Sequence, residues 1–427
     1  MREINNFNMS RFILPFYFVG SKKDAALDFS ESDWLHYSVN TRYLTKSVYE
    51  LFCDSENSVC KCYSLNDSAR VTYGIPARDS LITMESSMKA CEGTYQFYLA
   101  GHKAIVFNSG IGFLILEVAY PSDALNRVAD ISFCLANLFD NEHDNSERNN
   151  NLIFKYNDKS VEHSFSVKNT VMQLLNVEKH ADTLELFPSS TRRRMLVYHS
   201  IISSAQKDTD EKDIHCLCRA MHSHLKHGEE DMSLSSFEGQ KWLIGSTGAV
   251  SYVQYDDSNE EFVTKSFKRN VETDYFYIFV LALHEREVLL QYNYAAVKNQ
   301  NDVKALIGMK EKLLKLDILY TFKTVSIEKA YQIFYEKLSE EFILEELRAD
   351  IKDVVDSVEN HVNNRKDRKT NIILTALSIL AVFSVLTDGV SFVDRLLSGD
   401  PMGALQWGVV GVVGLGVIVA VIMMRKK

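Results

Sequence analysis

Two uncharged apolar runs near the C-terminus constrain this chain more than any other feature. They read NIILTALSILAVFSVLT (371–387) and LQWGVVGVVGLGVIVAVIMM (405–424). As helices they would reach about 26 Å and about 30 Å, against a bilayer hydrocarbon core of about 30 Å. The first run is short, but its helix can begin in the polar flank. Gly408, Gly411, Gly414 and Gly416 would let helix backbones approach closely in lipid. Arg365, Lys366, Arg368 and Lys369 precede the first run, and Arg425, Lys426 and Lys427 follow the second. The loop between them carries Asp388, Asp394 and Asp400 against Arg395 alone. The pattern predicts a transmembrane hairpin with both termini cytoplasmic, hence a multi-pass protein of the inner (cytoplasmic) membrane in contact with lipid. A buried core hairpin is the alternative.

Charge is spread unevenly. The whole chain carries −10, residues 365–427 hold eight Lys/Arg and four Asp/Glu, and the other 364 residues therefore carry −14. An acidic body speaks against nucleic-acid binding. Seven cysteines, an odd number without a CxxC pair, fit a reducing compartment better than a disulfide framework. The N-terminal MREINNFNMSRFILPFYFVGSK lacks a small-residue cleavage pattern and reads as a strand.

Three segments follow. Residues 1–270 mix strand-like and helical patterns and predict an α/β layer structure on the cytosolic side. Within it, 103–119 and 241–256 each read as strand, turn, strand, while 122–139 and 189–206 read as helices. Residues 271–370 predict a helical hairpin, 274–299 and 302–321, leading to a long stalk helix over 326–370 with apolar steps of three and four. The stalk bears eight acids between 340 and 359, a solvated face or a cation-attracting vestibule. Residues 371–427 complete the chain as the two spans and a short external loop. The expected fold class is thus an α/β cytosolic domain, a helical stalk and a two-helix C-terminal transmembrane hairpin.

Candidate functional residues fall in two places. In the first span Asn371, Thr375, Ser378, Val382, Val385 and Gly389 share a helical face. Polar groups in lipid face protein or water, so this face either lines a pore, with Val382 and Val385 as an apolar constriction, or packs helix on helix. Asp388 and Ser391 stand at its outer end. In the cytosolic segment FPSSTRRRM (187–195), Ser189, Ser190 or Thr191 would cap a helix whose first turn holds Arg192, Arg193 and Arg194. Cations there oppose the helix dipole, a conflict that a bound anion removes; a solvated turn or pairing with nearby acids would remove it too. Gly110-Ile-Gly and Gly245-Ser-Thr-Gly have the look of tight turns rather than phosphate loops. His215, Cys216, Cys218, His222, His224 and His227 cluster, but at the spacing of no common zinc module. No Ser-His-Asp or Cys-His arrangement can be assembled from these positions, so a non-enzymatic role is expected.

This succession of parts resembles the CorA family of metal-ion transporters over roughly 271–427. In that family the first span ends in Gly-Met-Asn, often followed by Phe; here the place holds Gly389, Val390, Ser391 and Phe392. The resemblance implies a homo-oligomer, a pentamer, conducting metal or other cations, with Arg425–Lys427 at the cytosolic mouth. Ser391 lacks the reach of an amide toward a hydrated ion, which implies poor Mg²⁺ discrimination. Divergent CorA-like proteins accompany type III CRISPR defence systems, so the resemblance also implies an antiviral membrane effector switched by a nucleotide second messenger. The expected function is an ion channel or transporter gated by a cytosolic anionic or nucleotide ligand. A membrane-anchored nucleotide-processing enzyme and a non-conducting membrane scaffold are the alternatives.

Overall fold

The computed structural model describes residues 8–18, 33–52, 59–121, 124–140, 152–158, 161–204, 211–223, 232–235, 237–299 and 302–357, together with Asn371, Leu374, Thr375, Leu377 and Ser378. The chain divides into two compact units, Met1–Val355 and Asp356–Lys427. Among the described residues thirteen strands form one sheet. They are β1 (Asn8–Phe18), β2 (Trp34–His36), β3 (Cys60–Leu65), β4 (Leu81–Ser86), β5 (Gly93–Phe107), β6 (Ile111–Tyr120) and β7 (Leu152–Asp158). Then come β8 (Val161–Phe165), β9 (Leu184–Leu186), β10 (Leu196–Ser204), β11 (Met232–Leu234), β12 (Gln240–Gly245) and β13 (Gly248–Tyr255). The helices used below are α1 (Lys46–Phe52), α2 (Asp67–Thr72), α3 (Leu125–Ala136), α4 (Val167–Leu174) and α5 (Glu211–Cys218), then α6 (Phe276–Lys298), α7 (Val303–Leu319) and α8 (Lys329–Glu341).

The sheet runs β11-β12-β13-β10-β1-β6-β5-β4-β7-β8, with β9 also on β1 and the β2–β3 pair also on β5. Pairing is antiparallel except between β10 and β13. All ten residues of β6 are buried, as befits a central strand covered on both faces. On one face Phe12, Leu14, Phe16 and Phe18 of β1 pack with Val128 and Leu135 of α3, Val171 of α4 and Leu217 of α5. On the other lies α6: Arg11 stacks over Phe276 at 4.0 Å, and Tyr198 meets Phe276 and Phe279. Arg11 and Glu117 are register partners on β1 and β6. Arg11 Nε donates to Glu117 Oε1 at 2.9 Å and Lys103 Nζ to the same oxygen at 2.8 Å.

The sheet has a discontinuity beside β1. One edge pairs with β6 over Asn8–Tyr17. The other edge is shared: β10 takes Met9–Ile13 and β9 takes Phe16–Phe18. Pro15 sits at the change-over, where a residue without an N–H costs no ladder bond. Its carbonyl accepts from Phe187 N at 2.9 Å. The chain between β9 and β10, residues 187–195, therefore leaves and rejoins the same edge of the same strand.

Several expectations are met locally. The strand–turn–strand readings at 103–119 and 241–256 are β5–β6 and β12–β13; Gly110 takes φ +93° in the first turn. The helices expected at 122–139, 274–299 and 302–321 are α3, α6 and α7. Others are corrected. Of the helix expected at 189–206, residues 189–204 are a loop and the strand β10. The continuous stalk is interrupted: α8 ends at Glu341, Phe342 is buried, Ile343 takes φ 49°, and a second helix spans 344–357. Packing Phe342 and Leu344 inward turns the chain at Ile343 without Gly or Pro.

The transmembrane hairpin is corrected as well. Among the described residues no helix is long and apolar enough to cross a membrane. The most apolar stretch of α6, Phe276–Leu283, is wholly buried within the first unit, and a span needs about 20 such residues. The fold is a mixed α/β protein on a large sheet. The transmembrane helices, the membrane assignment and the multi-pass placement in the inner membrane, with both termini cytoplasmic, are withdrawn on this finding. Most of 371–387 and all of 405–424 lie outside the described residues.

Candidate anion-binding cleft

The loop 187–195 is shaped by its own side chains. Phe187 turns at φ 55°. The Ser190 hydroxyl accepts from Arg192 N at 3.1 Å and donates to Arg192 O at 3.0 Å. Met195 N then donates to Ala136 O at the end of α3, and Val197 N to Thr247 O in the β12–β13 turn. The loop is thereby pinned against that turn. Gly248 makes the close approach possible: a Cβ there would lie 2.3 Å from Val197 O.

A cleft of about 270 Å³ opens between the loop, the Ser246–Thr247 turn and α6. Its apolar wall is Pro15, Phe187, Met195, Leu196 and Leu290. Its polar wall holds Ser189, Ser190, Thr247 and three arginines, Arg192, Arg194 and Arg286. One carboxylate, Glu287, also lines it, and Arg286 Nη2 already contacts that group at 3.1 Å. Among the described residues, no histidine, cysteine or lysine lines the cleft.

The arginines differ in setting. Arg192, half exposed, has Nε 3.3 Å from the buried Asp140 Oδ2. Arg194 Nη2 donates to the carbonyls of Arg219 and Ala220. Burial, helped by the neighbouring charge of Arg192, lowers the Arg194 guanidinium to about 10, still protonated at neutral pH. Arg286 Nη1 donates to Ser246 O at 2.6 Å. Three further polar atoms on these walls are buried without a hydrogen-bond partner: Arg194 Nε, Arg286 Nε and Thr247 Oγ1. Buried donors are nearly always satisfied, and each unsatisfied one costs about 1–3 kcal/mol. A preorganised concentration of positive charge and unmet donors is chemistry for holding an acceptor-rich anion.

Of the residues singled out from sequence, Arg192 and Arg194 meet in the cleft. Arg193 is exposed, does not line it, and instead adds to the burial that lowers the ammonium of Lys168. The helix-dipole argument behind this segment fails, because no helix begins there. The Gly245-Ser-Thr-Gly turn does reach the cleft, through Ser246 and Thr247. Arg286 and Glu287 were missed; the signal was the charged triplet Glu285-Arg286-Glu287 just after the apolar stretch Phe276–Leu283 of α6.

Asn371, Thr375 and Ser378 occupy helical positions, where Thr375 Oγ1 donates to Asn371 O at 2.7 Å and Ser378 Oγ to Leu374 O at 2.8 Å. Val382, Val385, Asp388, Gly389 and Ser391 lie outside the described residues. Cys216 and Cys218 are core residues of α5. Among the described residues no group of three or more His, Cys, Asp or Glu side chains is placed to hold a metal ion.

Comparison with protein-family models, with curated proteins and with solved structures finds no match.

Proposed function

We propose that the first unit binds a small phosphorylated ligand in the cleft between loop 187–195, the β12–β13 turn and α6. The carrying observation is that Arg192 and Arg194 of the loop and Arg286 of α6, some ninety residues on, share one cleft with three unsatisfied buried donors. Arginine forks match phosphate oxygens in geometry and charge. The volume, near the lower limit of about 300–1,000 Å³ for small-molecule sites, suits one phosphate group with a compact body, of the size of a mononucleotide. The apolar wall gives that body a surface to pack on. The one carboxylate of the lining, Glu287, is engaged by Arg286 at 3.1 Å, so the reading is of binding. Of the pore residues behind the cation-conducting role that the CorA resemblance implies, Asn371, Thr375 and Ser378 are among the described residues, and their contacts favour no ion.

Isothermal titration of the full-length protein with inorganic phosphate, adenosine 5′-monophosphate and adenosine tests the reading. Saturable binding of the monophosphate, competed by phosphate and absent for adenosine, is expected. Equal binding of adenosine and its monophosphate, or of neither, would overturn it.

A further inference from the structure

The arginine that faces the cleft also touches the joint between two helices. The Arg286 guanidinium carbon lies 4.5 Å from the centroid of the Phe342 ring. Phe342 is 2% exposed and closes α8, its N–H donating to Leu338 O. Ile343, the next residue, takes φ 49°, a conformation that an Ile adopts only where its surroundings enforce it. The chain then enters the helix 344–357, whose Leu347 N donates back to Ile343 O. Arg286 thus divides its two aspects. Its face stacks on the joint, and its edges serve Ser246 O and Glu287 at the cleft.

The residue before it holds the same helix from the other side. Glu285 is 1% exposed. It accepts from Arg348 Nη2, from Thr321 Oγ1 at 3.2 Å and from Tyr335 OH at 3.2 Å. Arg348 extends further, with Nε 3.1 Å from Asp317 Oδ1 and Nη1 2.6 Å from Glu345 Oε1. One buried ion pair on α6 therefore fixes the first turns of the helix 344–357 to α6 and α7. The cleft and this latch are adjacent residues of one rigid helix.

We propose that ligand occupancy of the cleft is transmitted to the segment 344–355 through Arg286 and Phe342, so that the bound anion tightens the Glu285–Arg348 latch. The inference rests on the phosphate-binding reading. The chemistry is of edge and face. An anion held on the edge of Arg286 fixes the guanidinium in the orientation that stacks on Phe342, and the ring in turn fixes the joint. The ligand prefers the latched arrangement because only there is Arg286 presented to the cleft, and this difference in affinity is what a shift in equilibrium requires. Coupling is reciprocal, so loosening the joint weakens binding by the same factor that binding strengthens the joint.

Hydrogen exchange on the full-length protein, with and without saturating adenosine 5′-monophosphate, tests this. Amides of 344–355 are expected to slow on ligand addition, on the order of 5-fold or more. Phe342→Leu, which retains every cleft side chain, should abolish that protection and weaken the monophosphate by a similar factor. Arg348→Lys, which keeps the charge but loses the fork, should do the same from the other side. Binding to the unmodified protein with unchanged exchange over 344–355 would overturn the coupling and leave the binding reading intact. Unaltered affinity and protection in both variants would do so too. Absence of binding to the unmodified protein would overturn the binding reading itself, and the coupling with it. The exchange experiment on the unmodified chain decides the matter even if both variants misfold.

Discussion

Replacing Glu117 by Gln should remove a buried electrostatic support of the sheet. Glu117 lies on β6 between β1 and β5, 8% exposed, and serves Arg11 and Lys103 at once. Burial alone would raise its carboxyl. The charges of Lys103 and Arg11, and the hydrogen bonds they make, more than reverse this and hold it at about 2. Relative to an ordinary 4.5, the charged form is favoured by about 3 kcal/mol. Breaking a buried pair by removing one partner costs about 3–5 kcal/mol, because the remaining charge is left uncompensated. The two estimates agree, so Glu117→Gln should lose about 3–4 kcal/mol at pH 7. The sign in pH follows from linkage. A carboxyl depressed in the folded state contributes stability that is complete above pH 4.5 and is lost as pH falls toward 2. The mutational difference should therefore shrink between pH 5 and pH 2. Urea denaturation followed by tryptophan fluorescence is suitable, since Trp34 and Trp242 are both buried in this unit. A loss under about 1 kcal/mol at pH 7, or one independent of pH over that window, would refute the reasoning.

His102, His199 and His284 are buried and held neutral, each lowered to about 3, chiefly by burial. Unfolding lets each protonate near 6.5, so stability present at pH 7 should fall as pH drops from 6.5 toward 3, with a slope of up to about 4 kcal/mol per pH unit; denaturation midpoints against pH measure it. Ile343→Gly should be neutral or stabilise by up to about 1 kcal/mol in the same assay, since glycine takes a positive φ without strain and the Ile side chain is half exposed. Gly248→Ala should destabilise by about 1–3 kcal/mol, because its Cβ meets backbone and side chain of Val197, and thermal melts should show it.

Hairpins were legible because their alternation and turn glycines are local: Asn108–Gly110 and Gly245–Gly248 both separate paired strands. The strand β10 was not. LVYHSIISS is buried from Leu196 to Ile201 with His199 and Ser200 inside the run, so it lacks the two-residue alternation that would mark a strand against a helix. The break at Ile343 left no mark in sequence either, since packing of Phe342 and Leu344 imposes it without Gly or Pro. The run Arg192–Arg194 drew attention for a helix dipole that does not exist, yet two of its members do line the cleft. What joins them to Arg286 is the return of the chain to one edge of β1 and the passage of α6 across the sheet. Both are properties of topology, which residue spacing does not encode.

We propose that Arg194 and Arg286 of the cleft, and not the exposed Arg193, hold the phosphate group. Titration calorimetry of adenosine 5′-monophosphate into full-length Arg193→Ala, Arg194→Gln and Arg286→Gln tests it most directly. A charge-assisted hydrogen bond is worth about 1.5–3 kcal/mol, so Arg194→Gln and Arg286→Gln should each weaken binding by about 10- to 100-fold. Arg193→Ala should leave it within about 2-fold, a difference under 0.5 kcal/mol. Equal affinity in all three variants, or a loss confined to Arg193→Ala, would contradict the account.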